Sequence, residues 1–568
     1  MNASSIWLLP AAVATGLVGR RVWRRLQLSR AKHPSLAGHA RWSRRLAKQV
    51  PYYGYDETEF FRADDAPAEV EQRRRAAFER LEALYSTRYA RNVAESALLE
   101  PSIPDMQFTA RYRVPYQFRE RVRRGLRNGS VLLGTRGNKV IDADGNESYD
   151  LTGSYGVNLF GNDFYKQCMA RGAAAAGDLG AMLGAYHPLM AYNLRRLQEI
   201  SGHEQASFHM SGTEAVMQAV RVAQYNTRRS KIVRFCGAYH GWWGDVQPGV
   251  GNPQTARDTY TLREGSDRTL TVLETRNDIA CVLINPLQAL HPNANAPSDS
   301  QLIDSSRKAN FDRDAYARWL RQLRDVCTRR GIVLIFDEVF VGFRLAPGGA
   351  QEYFGVRADL VTYGKTLGGG LPVGVVCGPA ALMRRYREQR PADICFARGT
   401  FNAHPHIMGA MHEFLKFLET DAALDLYRGM DDRWNQRAKS LNARLAEAGL
   451  PVNVANMSSI WTVCYSRPSR YNWMLQYYLR AQGLHLGWIG TGRFIFSLDY
   501  SDADFAEVAE RFVAAARAME ADGWWWNDGR LTNKSIKRRV LREMAQAWWR
   551  ACIGSMSSPR SNASGARQ

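Results

Sequence analysis

The octapeptide Tyr363-Gly364-Lys365-Thr366-Leu367-Gly368-Gly369-Gly370 carries a lysine out of a β-rich run into a glycine turn with no acid beside it. A lysine desolvated in such a place loses its proton easily and can form a Schiff base with a carbonyl compound. On a surface loop the same residue is only a solvated charge. Upstream, Ile335-Phe336-Asp337-Glu338-Val339 ends an apolar run in acid, and open α/β sheets bind ligands at the C-terminal ends of their strands. Asp337 could there hold a heteroaromatic ring nitrogen in its protonated form, cap a helix or ligate a metal. Met210-Ser211-Gly212-Thr213-Glu214-Ala215 places hydroxyls and a glycine at a helix start. Unpaired N–H groups at such a start attract a phosphate, or the segment is an ordinary capped turn. Gly237-Ala238-Tyr239-His240-Gly241-Trp242 follows a strand and offers Tyr239 as a flat cover for a ring, or as a core aromatic.

The four segments answer to four parts of one molecule: a phosphate at Ser211, Gly212 and Thr213, a ring face at Tyr239, a ring nitrogen at Asp337 and an aldehyde at Lys365. Pyridoxal 5'-phosphate (PLP) has these parts, and a protonated ring nitrogen strengthens it as an electron sink. The elements that must position them alternate. Lys231–Phe235, Cys281–Asn285, Ile332–Phe336 and Leu360–Tyr363 read as strands, with helices at Glu214–Thr227 and Asp314–Arg329. Alternation of this kind predicts an α/β fold with a mainly parallel sheet covered by helices. Gly137–Asn146 reads as strand, turn, strand, and helices at Ile407–Leu418 and Asp431–Ala448 open a smaller α+β domain. The chain divides into an apolar and basic segment at 1–50 and a helical extension at 51–133 with no assignable chemistry, a cap or a dimer arm. A large domain with N-terminal strands follows at 134–404, then a small domain at 405–526 and a basic amphipathic to disordered tail at 527–568.

Phe336-Asp337-Glu338-Val339 continues as Gly342-Phe343-Arg344, Gly348-Gly349-Ala350-Gln351, Gly355, Asp359-Leu360, Gly364-Lys365, Gly368-Gly369-Gly370 and Pro372-Val373-Gly374. With Ser211–Ala215, Tyr239-His240-Gly241 and Gly399-Thr400, this pattern resembles the class III aminotransferases, most of all their glutamate-1-semialdehyde aminomutase branch, from about Gly137 to Glu520. The resemblance implies a fold-type-I PLP-dependent transferase and a homodimer with active sites at the subunit interface. It makes Lys365 the Schiff-base lysine and proton shuttle, and Asp337 the partner of the pyridine nitrogen. It makes Ser211, Gly212 and Thr213 phosphate ligands, with Thr400 reaching the phosphate of the neighbouring subunit. Tyr239 and Val339 would cover the two ring faces. Ser154 and Tyr155 fall near the substrate, and Arg493 in Gly492-Arg493-Phe494 corresponds to a substrate-carboxylate arginine. Two departures stand out. Asn285-Pro286-Leu287-Gln288 replaces the usual Glu-Pro, leaving Gln288 to bond the cofactor's phenolic oxygen. The aminomutase branch's Asn-Ser-Pro-Val-Arg stretch has no match that aligns with Arg111-Tyr112-Arg113-Val114-Pro115.

These features predict an aminotransferase passing an amino group from a small-molecule donor to an aldehyde or ketone. The rivals are the aminomutase and, from another class, a non-catalytic PLP-fold membrane scaffold, against which an intact Lys365 and Asp337 speak. The net charge is +21. Ten basic residues and no acid precede Val50, and nine basic residues with the single acid Glu543 follow Gly529, so the body is near neutral and is no nucleic-acid platform. Eight cysteines without a CxxC pair suit a reducing, cytoplasmic setting with no structural zinc. Ile6–Val18 is apolar and short for a spanning helix. It reads as a short anchor with its Arg20–Arg25 flank on the cytoplasmic side, or as an interfacial or docking segment. The tail helix with Trp548 and Trp549 suits an anionic membrane surface or packs back on its own domain.

Overall fold

The computed structural model describes residues 8–32, 45, 47–247, 258–286, 312–487 and 493–557. Strands β1 (Leu132–Arg136), β2 (Lys139–Asp142) and β3 (Glu147–Asp150) form an antiparallel meander. Strands β4 (Gln205–His209), β5 (Lys231–Phe235), β6 (Thr259–Leu262), β7 (Ile279–Ile284), β8 (Val333–Asp337), β9 (Leu360–Gly364) and β10 (Gly374–Gly378) build one sheet in the order β4-β10-β9-β8-β7-β5-β6. Only β10 runs against the others. Strands β7 and β8 are buried along their whole length, as the middle of a sheet covered on both faces requires, which explains their unbroken apolar runs. The helix Gly212–Thr227 buries Ala215, Val216, Ala219, Val220 and Ala223 against β7, β9 and β10, one stripe at helical spacing. In the C-terminal part, β11 (Val452–Met457) and β12 (Ile460–Tyr465) pair antiparallel, β13 (Leu484–His485) adds parallel to β3, and β14 (Arg493–Ile495) pairs with β12. The meander thus shares its sheet with residues 484–485, not with the large sheet.

The extension is helical at Glu57–Phe61, Ala68–Arg88, Ala90–Leu99, Pro104–Tyr112 and Arg119–Gly125. Phe60, Phe61, Phe78 and Phe118 close over Tyr471, Trp473 and Trp524 of the small domain. Arg74 is fully buried there and pairs with Asp64 at 2.7 Å while donating to the Phe61 and Gly523 carbonyls. Removing one partner of a buried pair strands the other charge. Asp64→Ala should therefore lower unfolding free energy by about 3–5 kcal/mol, read by denaturant titration. A loss within 1 kcal/mol would mean that Arg74 is satisfied by its two carbonyls alone.

The first and last described helices both dock on the body. The helix Leu8–Ala31 sets its last turns against the helix Asp267–Thr275, and Arg263 N–H donates to the Ala31 carbonyl at 2.9 Å. The helix Asn533–Ser557 buries Ile536 and offers Glu543 to Arg470 (2.7 Å) and to the Tyr55 hydroxyl (2.6 Å). Its far half leaves Leu541, Trp548, Trp549 and Ile553 exposed. No helix among the described residues is long and apolar enough to cross a membrane.

Candidate active site

The four segments meet at the C-terminal ends of β4, β5, β8 and β9, the rim where an open α/β sheet leaves room for a ligand. Asp337 is the last residue of β8 and is buried. His240 Nδ1–H donates to Asp337 Oδ2 at 2.7 Å, and Val339 N–H (3.1 Å) and the Thr362 hydroxyl (3.3 Å) donate to Oδ1. Its neighbour Glu338 turns the other way and accepts from the Ala350 and Gln351 N–H groups, anchoring the helix Gly349–Phe354. Burial pushes the Glu338 carboxyl up to about 8. The two adjacent acids therefore divide the work, one facing the site and one holding the scaffold.

Lys365 follows β9 with its backbone in the left-handed region (φ 47°), uncommon for a residue with a side chain and a mark of a constrained site. Its Nζ lies 4.8 Å from the centre of the Phe340 ring. Burial pulls the ammonium down to about 8; Asp337 works against that fall, and Arg493 and Arg344 add to it. The Arg493 guanidinium stands over the same Phe340 ring at 5.5 Å, so one aromatic carries both cations. The Thr366 hydroxyl, next in the chain, is hydrogen-bonded to the buried Tyr165 hydroxyl, which also accepts from Leu159 N–H.

The cup expected for a phosphate is the start of the helix Gly212–Thr227. Ser211 caps it by accepting from Glu214 N–H. The fit around it is close. A Cβ on Gly212 would stand 2.5 Å from Val339 Cγ1, one on Gly241 2.5 Å from the Thr213 hydroxyl, and one on Gly364 3.2 Å from Val339 Cγ1. Val339 thus connects the cup to the turn that carries Lys365. Tyr239 is more than half exposed, and its phenol is raised first by the part that is buried and then by the charge of Asp337. Ser154 and Tyr155 sit in the turn Gly153–Gly156, both with left-handed backbone. A Cβ on Gly156 would meet the Phe340 ring at 2.5 Å and Lys365 Cδ at 3.4 Å, so this turn packs directly on the lysine. Thr400 is exposed in the loop before the helix Pro405–Phe417 and joins no other site residue among the described residues. Gln288 lies outside the described residues.

The sequence alone does not mark His240 or Phe340 as working groups. His240 stands in a motif read for its tyrosine, and no local pattern announces that its ring reaches Asp337 two strands away. Phe340 carries no motif signal at all. The residues present fit PLP. A capped helix start suits its phosphate, a buried and oriented acid suits its ring nitrogen, and a lysine with a lowered pKa and no ion-pair partner among the described residues suits its aldehyde. The buried Nε2 of His240 and Oδ1 of Asn285 have no hydrogen-bond partner among the described residues, an open polar demand at the same rim.

Comparisons with known proteins agree. The profile of the family described as Aminotransferase class-III matches residues 128–246 and 312–516. A glutamate-1-semialdehyde 2,1-aminomutase from Geotalea daltonii is 32% identical over 356 residues, spanning 59% of this chain and 77% of that protein. A solved transaminase with PLP bound shares 27% identity with a TM-score of 0.61, covering 75% of this chain and 97% of that one. The crystal structure of a glutamate-1-semialdehyde aminomutase from Pseudomonas aeruginosa has the same fold at 18% identity and a TM-score of 0.61, covering 78% of this chain and 98% of that one. The sheet order, the placement of Asp337 and Lys365 at its rim and the span of these matches lead to one statement: the chain belongs to the class III aminotransferases.

Proposed function

We propose that the protein is a PLP-dependent aminotransferase that moves an amino group from an amine donor to an aldehyde or ketone by way of Lys365. The observation that carries this reading is the joining of Asp337, His240, Val339 and Lys365 around one rim next to a capped helix start. When bound, PLP supplies an aldehyde for amines and a ring that accepts the electron pair released at the amine-bearing carbon. The start of the helix Gly212–Thr227 and the Ser211 and Thr213 hydroxyls would hold the phosphate. Asp337, oriented by His240 and by the Val339 N–H, would keep a proton on the ring nitrogen. Lys365 Nζ would hold the aldehyde and would carry a proton to and from the substrate carbon, work for which a pKa near 8 suits a base at neutral pH. Arg493 binds a substrate carboxylate.

The names of the curated relatives favour a second reading, glutamate-1-semialdehyde 2,1-aminomutase. Asn285 in place of the family glutamate and the unmatched stretch at Arg111–Pro115 favour transfer between two molecules. An aminomutase makes 5-aminolevulinate from glutamate-1-semialdehyde without an external acceptor. We expect little of that activity and no growth rescue of a 5-aminolevulinate auxotroph. Efficient rescue would reverse the order of the two readings.

We further place the protein as a cytoplasmic homodimer, with Thr400 on the phosphate of the second copy. The exposed Phe396 and Phe401, near Thr400 in the chain, support an apolar contact. A membrane surface is proposed for the ends. Exposed Val18, Val22, Trp23 and Leu26 lie among Arg20, Arg21, Arg24 and Arg25, and exposed Trp548, Trp549 and Ile553 flank Arg550. Basic residues near an anionic bilayer contribute on the order of 1 kcal/mol each. Full-length protein should float with anionic liposomes at low salt, and protein lacking the residues before Lys48 should not. If the full-length protein stays in the soluble fraction at low and high salt alike, the membrane assignment fails.

A further inference from the structure

One ring joins two cations of the reaction rim. Phe340 stands shortly after β8 and is 8% exposed. The centre of its ring lies 4.8 Å from Lys365 Nζ and 5.5 Å from the Arg493 guanidinium, both within the range at which an aromatic face attracts a cation. The ring is held in place. Gly156, with φ 99°, packs against one side of it, and a Cβ there would stand 2.5 Å from Cδ2 and 2.6 Å from Cε2. Strand β14 brings Arg493 to the same spot. Ile495 N–H donates to the Leu151 carbonyl at 2.9 Å, and a Cβ on Gly153 would meet Ile495 Cγ2 at 2.7 Å. The strand that carries the guanidinium is thus tied to the turn that packs on the ring.

Phe61, Tyr149 and Tyr225 also meet two cations each. There a carboxylate is in contact as well: Arg75 pairs with Glu57, Arg511 with Glu507 and Arg228 with Asp393. Those rings only add to an ion pair. Lys365 forms no ion pair among the described residues and is buried, and a ring attracts a desolvated ammonium most strongly. Three charged groups face the lysine. Asp337 at the end of β8 favours the ammonium, while Arg493 on β14 and Arg344 in the segment after β8 oppose it. Arg344 is fixed by the carbonyls of Asn158 (2.7 Å) and Phe496 (2.8 Å). Arg493 instead lies over the ring that also meets the lysine.

We infer that Phe340 is a positioning residue whose ring seats both Lys365 and Arg493, and so fixes where the guanidinium stands relative to the reacting amine. The inference rests on the aminotransferase reading, with Lys365 as its reacting group. An aliphatic side chain at 340 could fill much of the same space but would attract neither cation.

The pull of the ring can be lowered at nearly constant shape. Phe340 is replaced in the full-length protein by mono-, di- and trifluorophenylalanine, whose fluorines withdraw electron density from the ring face. The first readout is the pH midpoint of PLP uptake by the cofactor-free protein. Each fluorine weakens the hold on the ammonium, so the midpoint should fall stepwise, by about one pH unit in all. The same fall should persist with Arg493→Gln, from a higher start because a repelling charge is gone. The second readout is labelling of Arg493 by phenylglyoxal in the holoenzyme, followed by peptide mass mapping. Its rate should rise about three- to tenfold along the series as the guanidinium leaves the ring. Labelling of Arg195, exposed and paired with Glu199, should stay constant. A flat series in either readout would overturn the shared seat. If Phe340→Leu departs from the parent while the fluorinated series stays flat, the ring acts by shape alone and the inference falls. Failure of the parent protein to take up PLP at any pH would instead strike the aminotransferase reading.

Discussion

Lys365→Ala will lower amine transfer by about 10⁴-fold or more, because one substitution removes both the anchoring nucleophile and the proton carrier. The protein should still fold, since Lys365 lies at the rim and has no ion-pair partner among the described residues. Borohydride added to the parent enzyme should fix PLP covalently to Lys365, as peptide mass mapping will report. An adduct on another lysine would remove Lys365 from its role. A pH dependence follows from the same geometry. The neutral amine is the form that reacts, and burial holds its pKa near 8. The rate at which cofactor-free protein takes up PLP should therefore rise with pH through about 8 and level off above it. A profile still climbing toward the ordinary lysine range would mean that the side chain is more hydrated than its packing against Phe340 and Gly156 implies.

Asp337→Ala should retain PLP through the phosphate cup and Lys365 yet lose on the order of 10³-fold in turnover, the scale of removing one well-placed electrostatic group. His240→Ala should lose less, because Val339 N–H and the Thr362 hydroxyl still orient the carboxylate. Near-normal turnover in Asp337→Ala would end the assignment of its ring-nitrogen role. A larger loss in His240→Ala than in Asp337→Ala would show that the imidazole acts on its own account.

The large sheet was readable where burial leaves an apolar run. The predicted Lys231–Phe235 coincides with β5, and the helix expected at Glu214–Thr227 is found at Gly212–Thr227. Strand β10 escaped because Gly374-Val375-Val376-Cys377-Gly378 is short, bounded by glycines and placed straight after a glycine turn. Its antiparallel direction is a property of its neighbours, not of its residues. Asp337 and Lys365 were legible because their chemistry needs particular residue types at strand ends. The extension was legible as helix but not as packing. What gives Phe60, Phe118 and Arg74 their places lies in residues 471–524, and no local pattern refers to them. Glu543 shows the same limit. In the sequence it is a lone acid in a basic tail; in the fold it neutralises the buried Arg470.

The distance along the chain between the extension and its partners also sets an order of events during synthesis. The Phe60 carbonyl accepts from the Tyr471 hydroxyl, 411 residues later. At a ribosomal rate of about 5–20 residues per second, the aromatic face of the extension waits roughly 20–80 s for the strands and tryptophans that cover it. A nascent chain that already contains all of β4 to β10 and Lys365 still leaves that face uncovered. Ribosomes halted before Trp524 should therefore yield products that bind holdase chaperones through residues 57–118, and slowing elongation should cost soluble yield before it costs cofactor content.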